Sequence, residues 1–251
     1  MNHRVIVEGG GNVPAPQPRR GRAALCDSGG MDTETIAARK RELRRELRAR
    51  RAHRYAGEEG AALRAEQAQR ILVHAEPLIA QVERAAGAAA AAGDGARPLV
   101  AAFHPTPTEA DVLPLVRRLV RAGARLVFPA AAGTELDWIL WDGRSPFADS
   151  PGRGFGREPA GRWLGPDALA DASLVLAPAV AVDRSLTRIG HGAGYYDRAL
   201  STVPDRARVV AVVHPDELLP AGALPRGEHD VPIPEVLTAD GLVSLVTSTS
   251  R

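Results

Sequence analysis

The spacing of apolar residues changes several times along the chain, and each change predicts an element. From Thr35 to Arg54 apolar positions recur at helical spacing in a strongly charged background. A second helical stretch runs from Glu58 to Ala75, where Pro77 interrupts or ends it. The period then shortens. PLVAAFHP at 98–105 is an apolar run of strand length; after it Thr108 offers an N-cap for a helix reaching Arg121, and Gly123 offers its stop. RLVFPA at 125–130 predicts the next strand, and LDWILWDG at 136–143 an extended or hairpin segment. A loop rich in proline and glycine fills 143–166, and SLVLAPAVAVD at 173–183 predicts another buried strand. A short helix from Tyr195 to Val203, a strand at 208–215 and a last strand near VLTADGLVSLV at 236–246 complete the alternation. Unbroken apolar strands alternating with helices predict an α/β fold whose largely parallel sheet is covered on both faces.

Two stretches stand outside this pattern. Residues 1–30 contain EGGGNVPAPQPRRGR, which has almost nothing to bury; they are expected to be a disordered extension, or an upstream start with Met31 as the true first residue. In AAGAAAAAGDGAR at 85–97, glycines interrupt an alanine run, which predicts an insert in a surface loop. The rest, 31–251, is long enough for one α/β domain, and no repeat of fixed period is evident. The formal charge is only +2 among 25% charged residues, too small and too dispersed a surplus to grip nucleic acid along its length. It suits a small anionic ligand. Cys26 is the single cysteine and cannot make an internal disulfide; neither a run of transmembrane length nor a signal-peptide core is found. These features predict a cytoplasmic protein without a membrane partner.

The densest chemistry lies in RIGHGAGYYDR at 188–198. Gly190, Gly192 and Gly194 allow backbone torsions that a side chain forbids and let main-chain N–H groups approach a ligand. A helix starting near Tyr195 would point its positive end at the same spot. A P-loop is excluded, since no lysine lies near these glycines. The dinucleotide fingerprint fits poorly: its third glycine comes one residue early and Tyr195 takes the required place, although Asp216 lies about where a ribose-binding acid belongs. Lys40 is the only lysine among 32 basic residues; such a bias towards arginine suggests a GC-rich genome, under which a surviving lysine is either needed as a lysine or retained by chance. At 100° per residue Ile36, Leu43 and Leu47 form an apolar stripe, with Lys40, Arg44 and Arg51 along one edge, from which cations can reach inward or snorkel to solvent.

RKRELRRELRARR at 39–51, PTPTEAD at 105–111 and RIGHGAGYYDR at 188–198, followed by HD at 229–230 and VLT at 236–238, resemble the 5-formyltetrahydrofolate cyclo-ligases, also called 5,10-methenyltetrahydrofolate synthetases. The resemblance spans about residues 36–240 and departs from the family pattern at Ala130, Ala193 and Pro234. It implies a single three-layer Rossmann-like sandwich preceded by a basic N-terminal helix. It also implies ATP-dependent closure of 5-formyltetrahydrofolate to 5,10-methenyltetrahydrofolate, releasing ADP and phosphate through a phosphorylated formyl intermediate. By the same resemblance, Lys40, Arg44 and Arg188 through Tyr196 (Gly190, His191, Gly192, Ala193, Gly194, Tyr195) would hold ATP. Phe103, Glu109, His191, Gly192, Gly194 and Tyr195 would hold the folate. Asp197 and Asp230 would hold magnesium, a hard ion suited to carboxylate and phosphate oxygens. A monomer acting on small molecules is expected. The alternative is a non-catalytic relative of the same fold that binds a nucleotide or RNA.

Overall fold

The computed structural model describes residues 33–93, 95–151 and 156–246; the stretch read as a disordered extension or upstream start lies outside them. Helix α1 spans Thr33–Tyr55 and α2 Gly57–His74, and α3, Glu76–Ala92, begins with Pro77 in its first turn, where a missing N–H costs nothing. On α1 the buried positions are Lys40, Leu47, Arg51 and Tyr55. Two cations therefore sit within the inward face rather than along its edge, and Ile36 and Leu43 are only half-buried. The alanine-rich stretch also departs from expectation. It continues α3 through Gly87 to Ala92, and Gly93 closes the helix in the left-handed conformation. One interior glycine costs only about 1 kcal/mol, which the surrounding alanines offset.

The strands in chain order are β1 (Leu99–Ala101), β2 (Arg125–Ala132), β3 (Glu135–Trp141), β4 (Phe147–Asp149), β5 (Arg157–Pro159), β6 (Arg162–Trp163), β7 (Ala172–Pro178), β8 (Ala181–Asp183), β9 (Arg188–Ile189), β10 (Arg208–Val212), β11 (Leu218–Leu219), β12 (Glu235–Thr238) and β13 (Gly241–Ser244). Eight form one sheet in the order β13-β12-β10-β7-β1-β2-β3-β6. The central five are parallel; β13 and β3 run antiparallel to them at the margins, and β6 pairs antiparallel with β3. Val100, Leu126, Phe128, Leu174, Leu176, Val210 and Val212 face α2, α3 and α4 (Leu113–Arg121). Their neighbours Ala101, Val127, Val175 and Ala211 face the opposite core, with Trp138, Leu169 and α5 (Tyr195–Leu200). This alternation explains why the strands read as continuous apolar runs: both pleat faces are dry.

Several boundaries differ from the sequence reading, and the last run, 236–246, is two strands rather than one, β12 and β13 paired in an antiparallel hairpin. The helix after β1 starts at Leu113, not behind Thr108, because Pro114 takes its first turn and the Asp111 carboxylate accepts from the Leu113 N–H at 2.9 Å. Residues 105–112 are therefore loop. The run 173–183 divides after Pro178: β8 leaves the main sheet and pairs with β9 and β11 in a small three-stranded sheet, against which Leu47 of α1 packs. The loop 143–166 contains the β4–β5 ribbon and β6. Strand order reverses between β1 and β7, which opens a crevice at the carboxyl ends of those two strands.

Candidate active site

A cleft of about 1090 Å³ occupies that crevice. Its walls come from the loop after β1 (Phe103, Thr106, Glu109), the glycine loop before α5, the segment before β12 (His229, Asp230) and α1 (Lys40, Arg44, Arg48). Every residue that the sequence reading assigned to ATP, folate or metal lines it. The resemblance brought together positions 40, 109, 197 and 230, and the fold supplies the reason: each lies on a different segment that meets at the switch point.

The glycine loop is tied to α1. Arg44 Nε donates to the Gly190 carbonyl at 2.8 Å, and Arg48 Nη2 donates to the His191 carbonyl at 3.0 Å. Gly192 and Gly194 adopt φ of 112° and 68°, as expected for positions that need glycine. Gly190 does not; a Cβ there would instead lie 2.7 Å from Arg188 Nη1. Arg188 itself is buried, donating to Asp197 Oδ1 at 2.8 Å and to the Pro178 carbonyl at 3.2 Å while its carbon centre lies 5.8 Å from the Tyr196 ring centroid. The Tyr196 hydroxyl is buried and has no hydrogen-bond partner among the described residues, and burial pushes its pKa up. Tyr195 donates to the Gly133 carbonyl at 2.8 Å.

Arg48 also fixes the tautomer of His191. A guanidinium only donates, so His191 Nδ1, 3.0 Å from Arg48 Nη2, must accept; Nε2 carries the hydrogen and donates to Glu109 Oε1 at 2.9 Å. Glu109 is buried, and its Oε2 accepts from the Thr106 N–H at 2.8 Å. Burial opposes its charge, but the hydrogen bond from His191, the charge of Arg51 and the Thr106 amide together hold the carboxyl below its ordinary range. Because residues 105–112 are loop, Glu109 is not a first-turn acid on a helix.

Lys40 Nζ pairs with Asp230 Oδ2, which also accepts from the Gly227 N–H at 2.7 Å. Asp197 and Asp230 thus each hold a cationic partner, and among the described residues no three His, Cys, Asp or Glu side chains converge on a metal position. Two carboxylates fit a hard ion that brings phosphate oxygens and water to complete its shell, not one caged by protein alone. Asp216 accepts from the Tyr55 hydroxyl at 2.7 Å, in the turn after β10 rather than beside the glycines, which removes the basis for a ribose-binding acid. Glu158 is held by Ser150 in the β4–β5 ribbon and does not line the cleft. The sequence reading missed Arg48 as a cleft residue; its place four residues beyond Arg44, on the same helix face, is a signal that could have found it. Arg198, His104 and Pro178 also line the cleft without a comparable signal.

The fold is a doubly wound α/β domain whose switch-point cleft sets a glycine loop tied to the cations of α1 against a buried carboxylate. Residues 36–239 match the 5-formyltetrahydrofolate cyclo-ligase family, and the chain belongs to that family. It is 40% identical over 152 residues to the 5-formyltetrahydrofolate cyclo-ligase of Mycolicibacterium smegmatis, covering 58% of this chain and 76% of that protein. A probable 5-formyltetrahydrofolate cyclo-ligase of Caenorhabditis elegans is 26% identical over 133 residues, covering 49% of this chain and 64% of that protein. The 5,10-methenyltetrahydrofolate synthetase of Aquifex aeolicus has the same fold, with a TM-score of 0.63 at 23% identity over 84% of this chain and 95% of its own. That of Mycoplasma pneumoniae gives a TM-score of 0.54 at 18% identity over 80% and 98%. Among the described residues no helix is long and apolar enough to cross a membrane.

Proposed function

We propose that this enzyme binds ATP and 5-formyltetrahydrofolate in the one cleft and closes N10 onto the formyl carbon, acting as a cytoplasmic monomer on small molecules. A formamide oxygen is a poor leaving group. Its attack on the γ-phosphorus breaks the bond to ADP and gives an iminium phosphate; N10 then attacks the activated carbon, its proton is lost, and the C–O bond breaks to release phosphate. Lys40 and Arg44 pair with the ATP phosphates, and the loop from Arg188 to Tyr196 wraps the nucleotide, with Arg188 bracing that loop from beneath. Glu109 accepts N–H donors from the pterin edge, beside Phe103 and the Tyr195 ring. Asp197 and Asp230 are the residues to hold magnesium, which would supply neutralising charge to phosphate oxygens. The transfer step depends on positioning and charge rather than on a protein nucleophile.

One observation carries this reading. The His191 imidazole hydrogen-bonds to Arg48 on the cationic side and to Glu109 on the opposite side, which supports a phosphate subsite and a folate subsite sharing one wall. The test is formation of the methenyl chromophore from 5-formyltetrahydrofolate, ATP and magnesium by purified protein. Lys40→Ala should lower turnover by at least about 100-fold, the usual loss when one preorganised charge-stabilising group is removed, with the circular dichroism unchanged. Nucleotide binding without folate-dependent ATP turnover would favour the non-catalytic nucleotide- or RNA-binding alternative.

A further inference from the structure

Glu109 is an anion where burial favours the neutral acid, so the source of its charge decides how it can act. The groups that face it come from five segments. Arg51 reaches it from α1, with Arg48 acting through His191; His104 lies on its own loop and Tyr196 on α5. From the turn after β10, His214 Nε2 lies 3.0 Å from the Thr108 carbonyl, and Glu217 shares Arg51. His191 completes the set from the glycine loop, but its side chain opens to solvent, 43% exposed, and its ring carries no charge while Nδ1 accepts from Arg48. Arg51 differs on both counts: its side chain is 4% exposed, matching the 5% of Glu109, and a guanidinium stays charged.

Arg51 is also held rigidly. Its Nε and Nη2 donate to the two oxygens of Glu217 at 2.5 and 2.9 Å, and Nη2 donates to the Ala179 and Val180 carbonyls at 2.7 and 3.1 Å. Nη1 then lies 3.4 Å from Glu109 Oε1. One guanidinium thus spans the segments that follow β10, β7 and β1, three consecutive neighbours in the sheet, at the point where strand order reverses. Its contact with Glu109 is long for a hydrogen bond, so it supplies charge while taking little of the lone-pair capacity. His191 and Thr106 use one short contact on each carboxylate oxygen. An ionised carboxylate has about four acceptor sites, which leaves room for two donors from a ligand.

We propose that Arg51 is a positioning residue for the reaction: anchored to Glu217 and the 179–180 carbonyls, it keeps Glu109 charged and turned so that both oxygens can accept N–H donors from the folate ring. This role rests on the reading of Glu109 as the folate acid. Arg51 touches neither substrate and acts only through that carboxylate. Its counterion Glu217 serves Arg51, not the ligand, and this separates positioning from a general clamp. A clamp would fail alike when either partner is changed; a positioning charge depends on Arg51 far more than on Glu217.

The experiment combines equilibrium binding of 5-formyltetrahydrofolate without ATP, separate binding of ATP, and a carbon-13 titration of the Glu109 carboxyl. Because Arg51→Met alone leaves Glu217 buried without a partner, the working variant is Arg51→Met with Glu217→Gln. It should raise the folate Kd at least about 10-fold, the ordinary consequence of disturbing a charged hydrogen bond in a buried site, and leave the ATP Kd nearly unchanged. The Glu109 midpoint should rise by about one pH unit or more as burial loses its counterweight. Folate binding by this variant should then weaken as pH falls through the raised midpoint. Glu217→Gln alone should bind folate nearly as the wild type does, with the Glu109 midpoint still low. Arg51→Lys should keep that midpoint low yet bind folate weakly, since one ammonium cannot reach Glu217 and both carbonyls together. Unchanged folate binding in the double variant, or equal loss of both ligands in it and in Glu217→Gln, overturns the role of Arg51. A wild type that binds no folate removes the folate reading of the site, and this role with it; a wild type that binds folate beside insensitive variants removes the role of Arg51 alone.

Discussion

His214 shows how burial sets the chemistry of a single residue. Its ring is fully buried and stacked on Tyr55, with centroids 3.5 Å apart and 6° between the planes, and burial pushes its pKa down to about 4 from 6.5. Below 6.5 the unfolded chain binds a proton that the native ring refuses until about pH 4, so stability falls as pH drops through that window and is unaffected above it. The full loss is about 3 kcal/mol. His214→Gln should flatten the decline in urea midpoint between those two pH values when compared with the wild type, at the cost of a lower midpoint at pH 8. A slope equal to the wild type's would show that the native ring takes its proton without penalty. Nothing in the sequence announced this residue, because histidine spacing does not report burial. The same holds on α1: the cations were visible, but their rank was not. Lys40 and Arg51 are more buried than Ile36 and Leu43 because Asp230 and Glu217, far along the chain, provide partners that periodicity cannot see.

At the scale of elements, the join between α1 and α2 puts the cationic helix in place. The chain turns through Ala56 and Gly57, and Gly60 then packs directly onto the end of α1. A Cβ on Gly60 would lie 2.6 Å from the Tyr55 carbonyl oxygen and 2.7 Å from its Cα, and backbone cannot yield as a flexible side chain can. Gly60→Ala should therefore destabilise by about 1–3 kcal/mol despite alanine's better helix propensity, read as a lower melting temperature. It should also raise the KM for both substrates, since Lys40, Arg44 and Arg51 share the displaced helix. A stabilised Gly60→Ala variant would mean that the two helices separate freely at this joint. The sequence made α1, α2 and the strands legible through their period. It misled where a local device outweighed the pattern, as Pro114 did for the start of α4 and as the departure of β8 to a second sheet did for the run 173–183. Both depend on where the chain goes next, which an apolar run does not encode.

At the scale of the molecule, the parallel order of the sheet could be expected from alternating elements, and the crevice at its switch point follows from that order. Which side chains meet across the crevice could not be expected from spacing. Lys40 and Asp230 are separated by nearly the whole domain, and the family resemblance alone joined them to Asp197. The proposed magnesium site tests that long-range closure, since Asp197 rides on α5 and Asp230 on the segment before β12. Asp197→Asn and Asp230→Asn should each raise the magnesium concentration needed for half-maximal turnover. If the two act through one ion, the double variant should lose less free energy of activation than the two single losses added together. The ion pairs complicate the single variants, because Asp197→Asn also releases Arg188 and Asp230→Asn releases Lys40. Those effects belong to separate cations and should add. Less-than-additive losses that become additive at saturating magnesium would therefore isolate the shared ion from the two ion pairs. Strict additivity at every magnesium concentration would show that each carboxylate serves only its own cation, and that the metal is carried by phosphate alone.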